Sequence, residues 1–386
     1  MSKFIAFFTS IVSMLTMLFG NIGGGDLTKR TDLKEAVYVA LHKAEISAEY
    51  HTGIPSDEVF TGEEAYSLED TAVLIKEKGK EFRLLNLTDI HFSDYGYRMF
   101  LNPEHELLMR RLIETEKPDM IMLTGDIVCG DESVYYSIRH LTDLFDSYGI
   151  PWAPVFGNHD DESNCDLNYL ADVMMSSSCC LMKKGDPEMG VGNYIVNIAE
   201  KNDDGSLNVV SSLLFMDSHH SQPNEKQQRW VKWACSGINA LTDDQAEVSV
   251  IMHIPLPEYQ YAYDAFCNPQ TGKWAEGSNG YGKCNEKICC ERDANGDPVQ
   301  RGFFNVLKEA GTVKHVICGH EHMNDFSVEY EGIRLTYCMK LGRSSGYQPG
   351  FNGGSVFTFD DKGIAKIEHK SIIAGMETTL ENIATR

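Results

Sequence analysis

The stretch IPWAPVFGNHDDES, residues 150–163, decides how this chain is read. Its first seven residues are mostly apolar and have the length of one buried strand. Gly157 then turns the chain, and Asn158, His159, Asp160 and Asp161 follow in a row. A turn uses Gly and often Asn, but it has no need of an imidazole and two carboxylates. Four polar side chains at the end of an apolar strand mark a candidate site.

The same texture extends on both sides. FRLLNL (82–87) and DMIMLT (119–124) read as strands, and PEHELLMRRLIETE (103–116) and 133–149 have helical spacing. Further strands are expected at 194–199, 209–216, 248–252 and 313–317, with helices at 226–239 and 302–310. From residue 328 onward the chain is strand-rich, with GIRLTYCM, SVFTFD and AKIEHKSII separated by turn residues. Strands alternating with helices indicate βαβ units around a largely parallel sheet, an α/β class. Residues 66–386 are expected to form one catalytic domain, with a cysteine-rich insertion at 259–301. Residues 26–65 read as a linker with a helical piece near 33–50.

Five of these strands end on the same chemistry. Asp89 and His91 follow the first, Asp126 the second, and Asn158, His159 and Asp160 the third. His253 follows 248–252, and His320 and His322 follow 313–317. Sites in α/β sheets lie beyond the carboxyl ends of the strands. One such fragment means little, but burying all five without partners would cost several kcal/mol. Carboxylate and imidazole donors suit Mn, Fe or Zn. A carboxylate shared between two ions at roughly 3.5–4 Å is the arrangement of binuclear hydrolases.

The ordered set DxH, GD, GNHD, H and GHxH resembles the calcineurin-like metallophosphoesterase superfamily over about residues 82–325. The segments LLNLTDIHFSD, GNHDDES, HIPLPEY and GHEHMNDF are similar to its yeast Dcr-type and plant purple-acid-phosphatase-like subgroup. The resemblance implies a four-layer α/β/β/α sandwich and two divalent or trivalent metal ions. It implies one ion on Asp89, His91, Asp126 and His322, and the other on Asp126, Asn158, His253 and His320. His159 would protonate the leaving oxygen, with Asp160 orienting its imidazole. The implied reaction is phosphomonoester hydrolysis by a metal-bound hydroxide. Phosphodiester hydrolysis on nucleotides or lipid head groups is the alternative, and a non-catalytic scaffold of the same fold a minor one. The chain departs from true purple acid phosphatases at Cys129, where they carry a metal-binding Tyr. Cys129 is read as a packed thiol, with metal ligation as the alternative.

Other residues are weaker candidates. His219 and His220, and Arg343 and Tyr347, lie after strands where they could meet substrate. The chain carries 57 acidic and 34 basic side chains, a net charge of -23. That balance repels polyanions, so duplex nucleic acid is not an expected partner, whereas a small phosphate ester is expected where metal ions supply positive charge locally. The apolar run from Phe4 to Gly20 reads as an export signal or membrane anchor within residues 1–25, with a buried core helix as the alternative. That places the protein outside the cytoplasm, secreted or membrane-attached. Among eleven cysteines, Cys267, Cys284, Cys289 and Cys290 fall in the insertion, where one or two disulfides are expected.

Overall fold

Neighbouring residues of a strand face opposite sides of its sheet, and here both sides are apolar. Leu213 and Phe215 enter one buried cluster, and Leu214 and Met216 enter another. A strand covered on both faces must lie inside a layered structure. In a computed structural model the described residues are 50–372 and 380–382, apart from 93–102, 130–133, 219–220, 244, 343–345, 347 and 349. Beyond the first two, they belong to one compact unit, Thr52–Arg386. The expectations for residues 1–25, for His219 and His220, and for Arg343 and Tyr347 fall outside the described residues, as does nearly all of 33–50.

The first half runs β1 (Ala72–Lys76), β2 (Phe82–Leu87), α1 (Pro103–Glu116), β3 (Met120–Thr124), α2 (Val134–Asp146), β4 (Trp152–Val155) and α3 (Leu167–Met175). Next come β5 (Tyr194–Lys201), β6 (Leu207–Phe215), α4 (Glu225–Thr242), β7 (Glu247–Ile251) and α5 (Pro257–Phe266). A small hairpin, β8 (Cys267–Asn268) and β9 (Lys273–Trp274), precedes α6 (Phe303–Ala310) and β10 (Val313–Cys318). The chain closes with β11 (Ser327–Tyr330), β12 (Ile333–Tyr337), β13 (Gly353–Asp360), β14 (Gly363–Ile372) and β15 (Leu380–Asn382).

The strands form two large sheets, where βαβ reasoning alone expected one. One sheet has the order β1-β5-β6-β7-β10-β12-β11, the other β15-β14-β13-β2-β3-β4. Within them β2, β3 and β4 are parallel neighbours, as are β6, β7, β10 and β12. Val196, Leu213, Phe215, Ile251 and Ile317 of the first sheet share a core with Leu84, Ile121 and Phe357 of the second. Leu112 of α1, Phe145 of α2 and Met174 of α3 belong to that cluster too. The opposite face of the first sheet packs on Trp230 and Ile238 of α4, Tyr259 of α5 and Phe303 of α6. The layers are therefore α/β/β/α, as the resemblance implied.

Local chemistry explains where helices begin. Asn224 and Gln227 form a reciprocal capping box on α4, and Asp166 caps α3 by accepting from Tyr169 N. Asp166 also accepts from Gly53 N at 2.9 Å, and Asp186 from Phe60 N at 2.7 Å. Trp233 Nε1 donates to the Glu64 carbonyl. Residues 53–66 thus lie along the domain, held by carboxylates and an indole.

The insertion needs no covalent staple. All four of its cysteines carry thiols, which corrects the disulfide expectation. Hydrogen bonding does the fastening: Asp325 accepts from Lys283 N (2.7 Å), Asn324 from Asn285 N (2.9 Å) and Glu321 from Cys289 N (2.6 Å). Trp274 adds an anchor, with Nε1 on the Gly282 carbonyl and its ring against Phe326. Burial pushes the Cys284 thiol up to about 12, which makes it a poor nucleophile.

Phe215 is fully buried between the sheets, stacked at 4.8 Å on Tyr194. Phe215→Ala should cost about 3–5 kcal/mol. Urea unfolding should show a lower midpoint with an unchanged slope.

Candidate metal centre

The two sheets bring their parallel strand ends to one place. β2, β3 and β4 lie side by side, so the loops after them are neighbours, and β7 is next to β10 in the facing sheet. Those loops are sewn together by their backbones. Asp89 N donates to the Gly125 carbonyl and His91 N to that of Asp126, while Gly319 N donates to His253.

This juxtaposition creates two donor sets. Asp89, His91, Asp126 and His322 each offer an atom within 4.8 Å of the others, and so do Asp126, His253 and His320. Asp126 belongs to both. Its Oδ2 lies 3.2 Å from His253 Nε2 and 3.6 Å from His91 Nε2. His322 Nε2 is 3.4 Å from Asp89 Oδ1 and 3.2 Å from His91 Nε2. Among the described residues, Cys129 enters neither set.

The donor atoms behave as atoms reserved for cations. Asp89 Oδ1, Asp126 Oδ2, Asn158 Oδ1 and His253 Nε2 are buried without a well-formed hydrogen bond. Buried polar atoms are normally satisfied, so four such atoms in these motifs need an explanation. Meanwhile the other ends of the imidazoles are fixed. His253 Nδ1 donates to the Thr124 carbonyl (2.8 Å) and His322 Nδ1 to that of Gly346 (2.9 Å), which leaves Nε2 for a ligand. This donor set of carboxylate, amide and imidazole fits two metal ions.

Strain gathers here as well. Asp89, His91, Asp126 and His320 have φ of 50°, 46°, 48° and 79°. They are half of the eight non-glycine residues in the left-handed region among the described residues. Such conformations persist only where surrounding contacts impose them. Gly157 shows how tight the approach is, because a Cβ there would stand 2.2 Å from Asp126 Oδ1. Gly125 would collide with the His253 ring at 2.4 Å.

The electrostatics follow from two buried carboxylates. Burial opposes the His253 imidazolium, but Asp126 and Asp89 raise it to about 10. Burial and the Lys340 charge lower His91 to about 3, and burial with the His253 charge lowers His320 to about 4. Despite burial, His253 and His91 hold Asp126 below the usual carboxylate range.

His159 stands at the edge of this cluster, half-exposed, with its ring 5.3 Å from that of His91. Its backbone N–H donates to Asp126 Oδ1 at 2.9 Å. Asp160, expected to orient the imidazole, does something else. Its fully buried carboxylate accepts from Val128 N (2.9 Å) and Gly157 N (2.6 Å), bracing the loops after β3 and β4. The partner of His159 Nδ1 is Glu162, at 2.8 Å. The spacing of three between His159 and Glu162 was visible in NHDDE, but nothing in sequence ranks it above the adjacent acid. Burial works against the His159 imidazolium, and Asp126 and Glu162 overcome it, raising the group above its ordinary value.

A family model described as calcineurin-like phosphoesterase matches residues 82–324. The chain belongs to the calcineurin-like phosphoesterase family. This phosphoesterase is 28% identical to the protein named probable inactive purple acid phosphatase 29 of Arabidopsis thaliana, over 67% of this chain and 71% of that one. It is 26% identical to Phosphatase DCR2 of Saccharomyces cerevisiae, over 82% of this chain and 56% of that one. A solved dimetal phosphatase from Danio rerio matches at 12% identity and a TM-score of 0.43, over 79% of this chain and 99% of that one. The phosphoesterase is a metal-dependent phosphoric ester hydrolase, and its Asp and His cluster is the candidate for a dinuclear metal centre.

The corrected role of Asp160 is testable by stability. Asp160→Ala should destabilise by about 1–3 kcal/mol for each amide left unpaired. Glu162→Ala, removing an exposed pair, should change stability by no more than about 1 kcal/mol. Denaturant unfolding of both variants checks the contrast.

Proposed function

We propose that the phosphoesterase hydrolyses phosphomonoesters, with His159 as general acid. One observation carries the reading: a half-exposed imidazole beside two largely buried donor sets, with Nδ1 held by Glu162. Nε2 is then the nitrogen available to a leaving oxygen, and the Asp126 contact to His159 N fixes the loop that presents it. Bound at Asp89, His91, Asp126, Asn158, His253, His320 and His322, two ions (Mn, Fe or Zn) would supply Lewis acidity and an activated water. Asp126 would serve both ions, and the fixed tautomers of His253 and His322 would keep their lone pairs directed inward.

The expected substrate is a small phosphate ester, which a chain of net charge -23 would take only where metal ions supply positive charge locally. The apolar run in residues 1–25 supports export or membrane attachment as part of the proposal. Among the described residues no helix is long and apolar enough to cross a membrane. Relatives named probable inactive raise the scaffold reading, which predicts loss of donors or acid. Here every one of those positions is filled.

His159→Ala should lower turnover of p-nitrophenyl phosphate by roughly 10²-fold or more. Metal content, read by atomic absorption, should stay the same, and unchanged turnover would remove His159 from this role. Activity on bis(p-nitrophenyl) phosphate exceeding that on the monoester would reverse the substrate preference. Asp126→Asn should weaken both ions together, and loss of one alone would contradict the shared carboxylate.

A further inference from the structure

Among the donors of the centre, Asp89 is gripped from three segments. Its N–H donates to the Gly125 carbonyl at 3.1 Å. Its Oδ2 accepts from Thr88 Oγ1 (2.8 Å) and His320 N (3.1 Å), and its carbonyl accepts from Lys340 Nζ at 2.6 Å. Oδ1 is the atom left without a hydrogen bond.

Lys340 is only 1% exposed, although burying an ammonium is costly. The chain beyond β12 that carries it is tied to strands on both sides. Leu341 N donates to the Thr88 carbonyl (3.0 Å), and Gly353 N donates to that of Lys340 (2.8 Å). The ammonium therefore has a fixed origin, and it ends on the carbonyl of a residue with φ of 50°. An aspartate released from that conformation would relax toward the β or α region, turning its Cα–Cβ bond and carrying Oδ1 away.

We propose that Lys340 is a positioning residue: by holding the Asp89 carbonyl in its left-handed turn, it aims Asp89 Oδ1 at the cation position of the first donor set. The inference rests on the two-cation reading of the centre. Its sign is distinctive. A fixed positive charge opposes cation binding, so electrostatics alone predicts that its removal tightens the site, whereas positioning predicts that removal loosens it.

The test is a Mn²⁺ titration of the full chain after chelation, with free ion read by electron paramagnetic resonance. The wild-type stoichiometry checks the two-cation reading, and the difference between variant and wild type checks this inference. Lys340→Met should weaken one ion by roughly 10–100-fold and leave the other much less affected. Lys340→Arg, which keeps a donor, should stay closer to wild type. Binding by Lys340→Met that equals or exceeds wild type overturns the proposal, as does better binding by Met than by Arg. Should Lys340→Met fail to fold by circular dichroism, a second neutral variant carries the test. In that case Lys340→Gln, which also removes the charge, decides: selective weakening of one ion in the folded variant supports the role, and binding equal to or tighter than wild type overturns it.

Discussion

The structure depends on one buried carboxylate, Asp126. It ends a strand of one sheet and meets a histidine from the other, with Oδ1 on His159 N and Oδ2 facing His253 and His91. A charge in that position is costly unless positive charge accompanies it. His253, 3.2 Å away, offsets part of that cost, and cations on both donor sets would offset more. The loops that carry those groups must therefore come close together, and the two sheets must abut where their strands end.

Close approach explains the glycines and the strained backbones. No side chain fits at Gly157 or Gly125, because Asp126 and His253 already occupy the space. Left-handed turns at Asp89, His91, Asp126 and His320 aim side chains that relaxed strand ends would splay. Rigid strands supply the precision, and hydrogen bonds from Val128 N and Gly157 N to Asp160, and from His253 Nδ1 to the Thr124 carbonyl, stiffen the loops between them. The insertion is fastened directly to Glu321, Asn324 and Asp325, in the same loop as His320 and His322. It is thereby coupled to the metal-binding edge without any disulfide.

Much of this was legible in the sequence. An apolar run followed by Asp, His or Asn is a local pattern, and strand ends converge wherever parallel strands are neighbours. So the donors and the alternation of strands and helices could be read from residue order, while their grouping around Asp126 came from the family resemblance. Reading that order as one parallel sheet failed, because strand pairing between distant segments leaves no local signature. β13, for instance, pairs with β2 across most of the chain.

What the sequence determined by itself was the chemistry available at each strand end, because residue type and local periodicity are written in consecutive positions. The tertiary structure decided which groups meet. Asp160 turned inward to two amides and left His159 to Glu162, since a fully buried carboxylate is held by the nearest buried N–H donors. The insertion's cysteines stayed thiols where backbone hydrogen bonds already held the segment. Lys340, 251 positions from Asp89, reached that residue's carbonyl only because β2 and the chain after β12 run side by side.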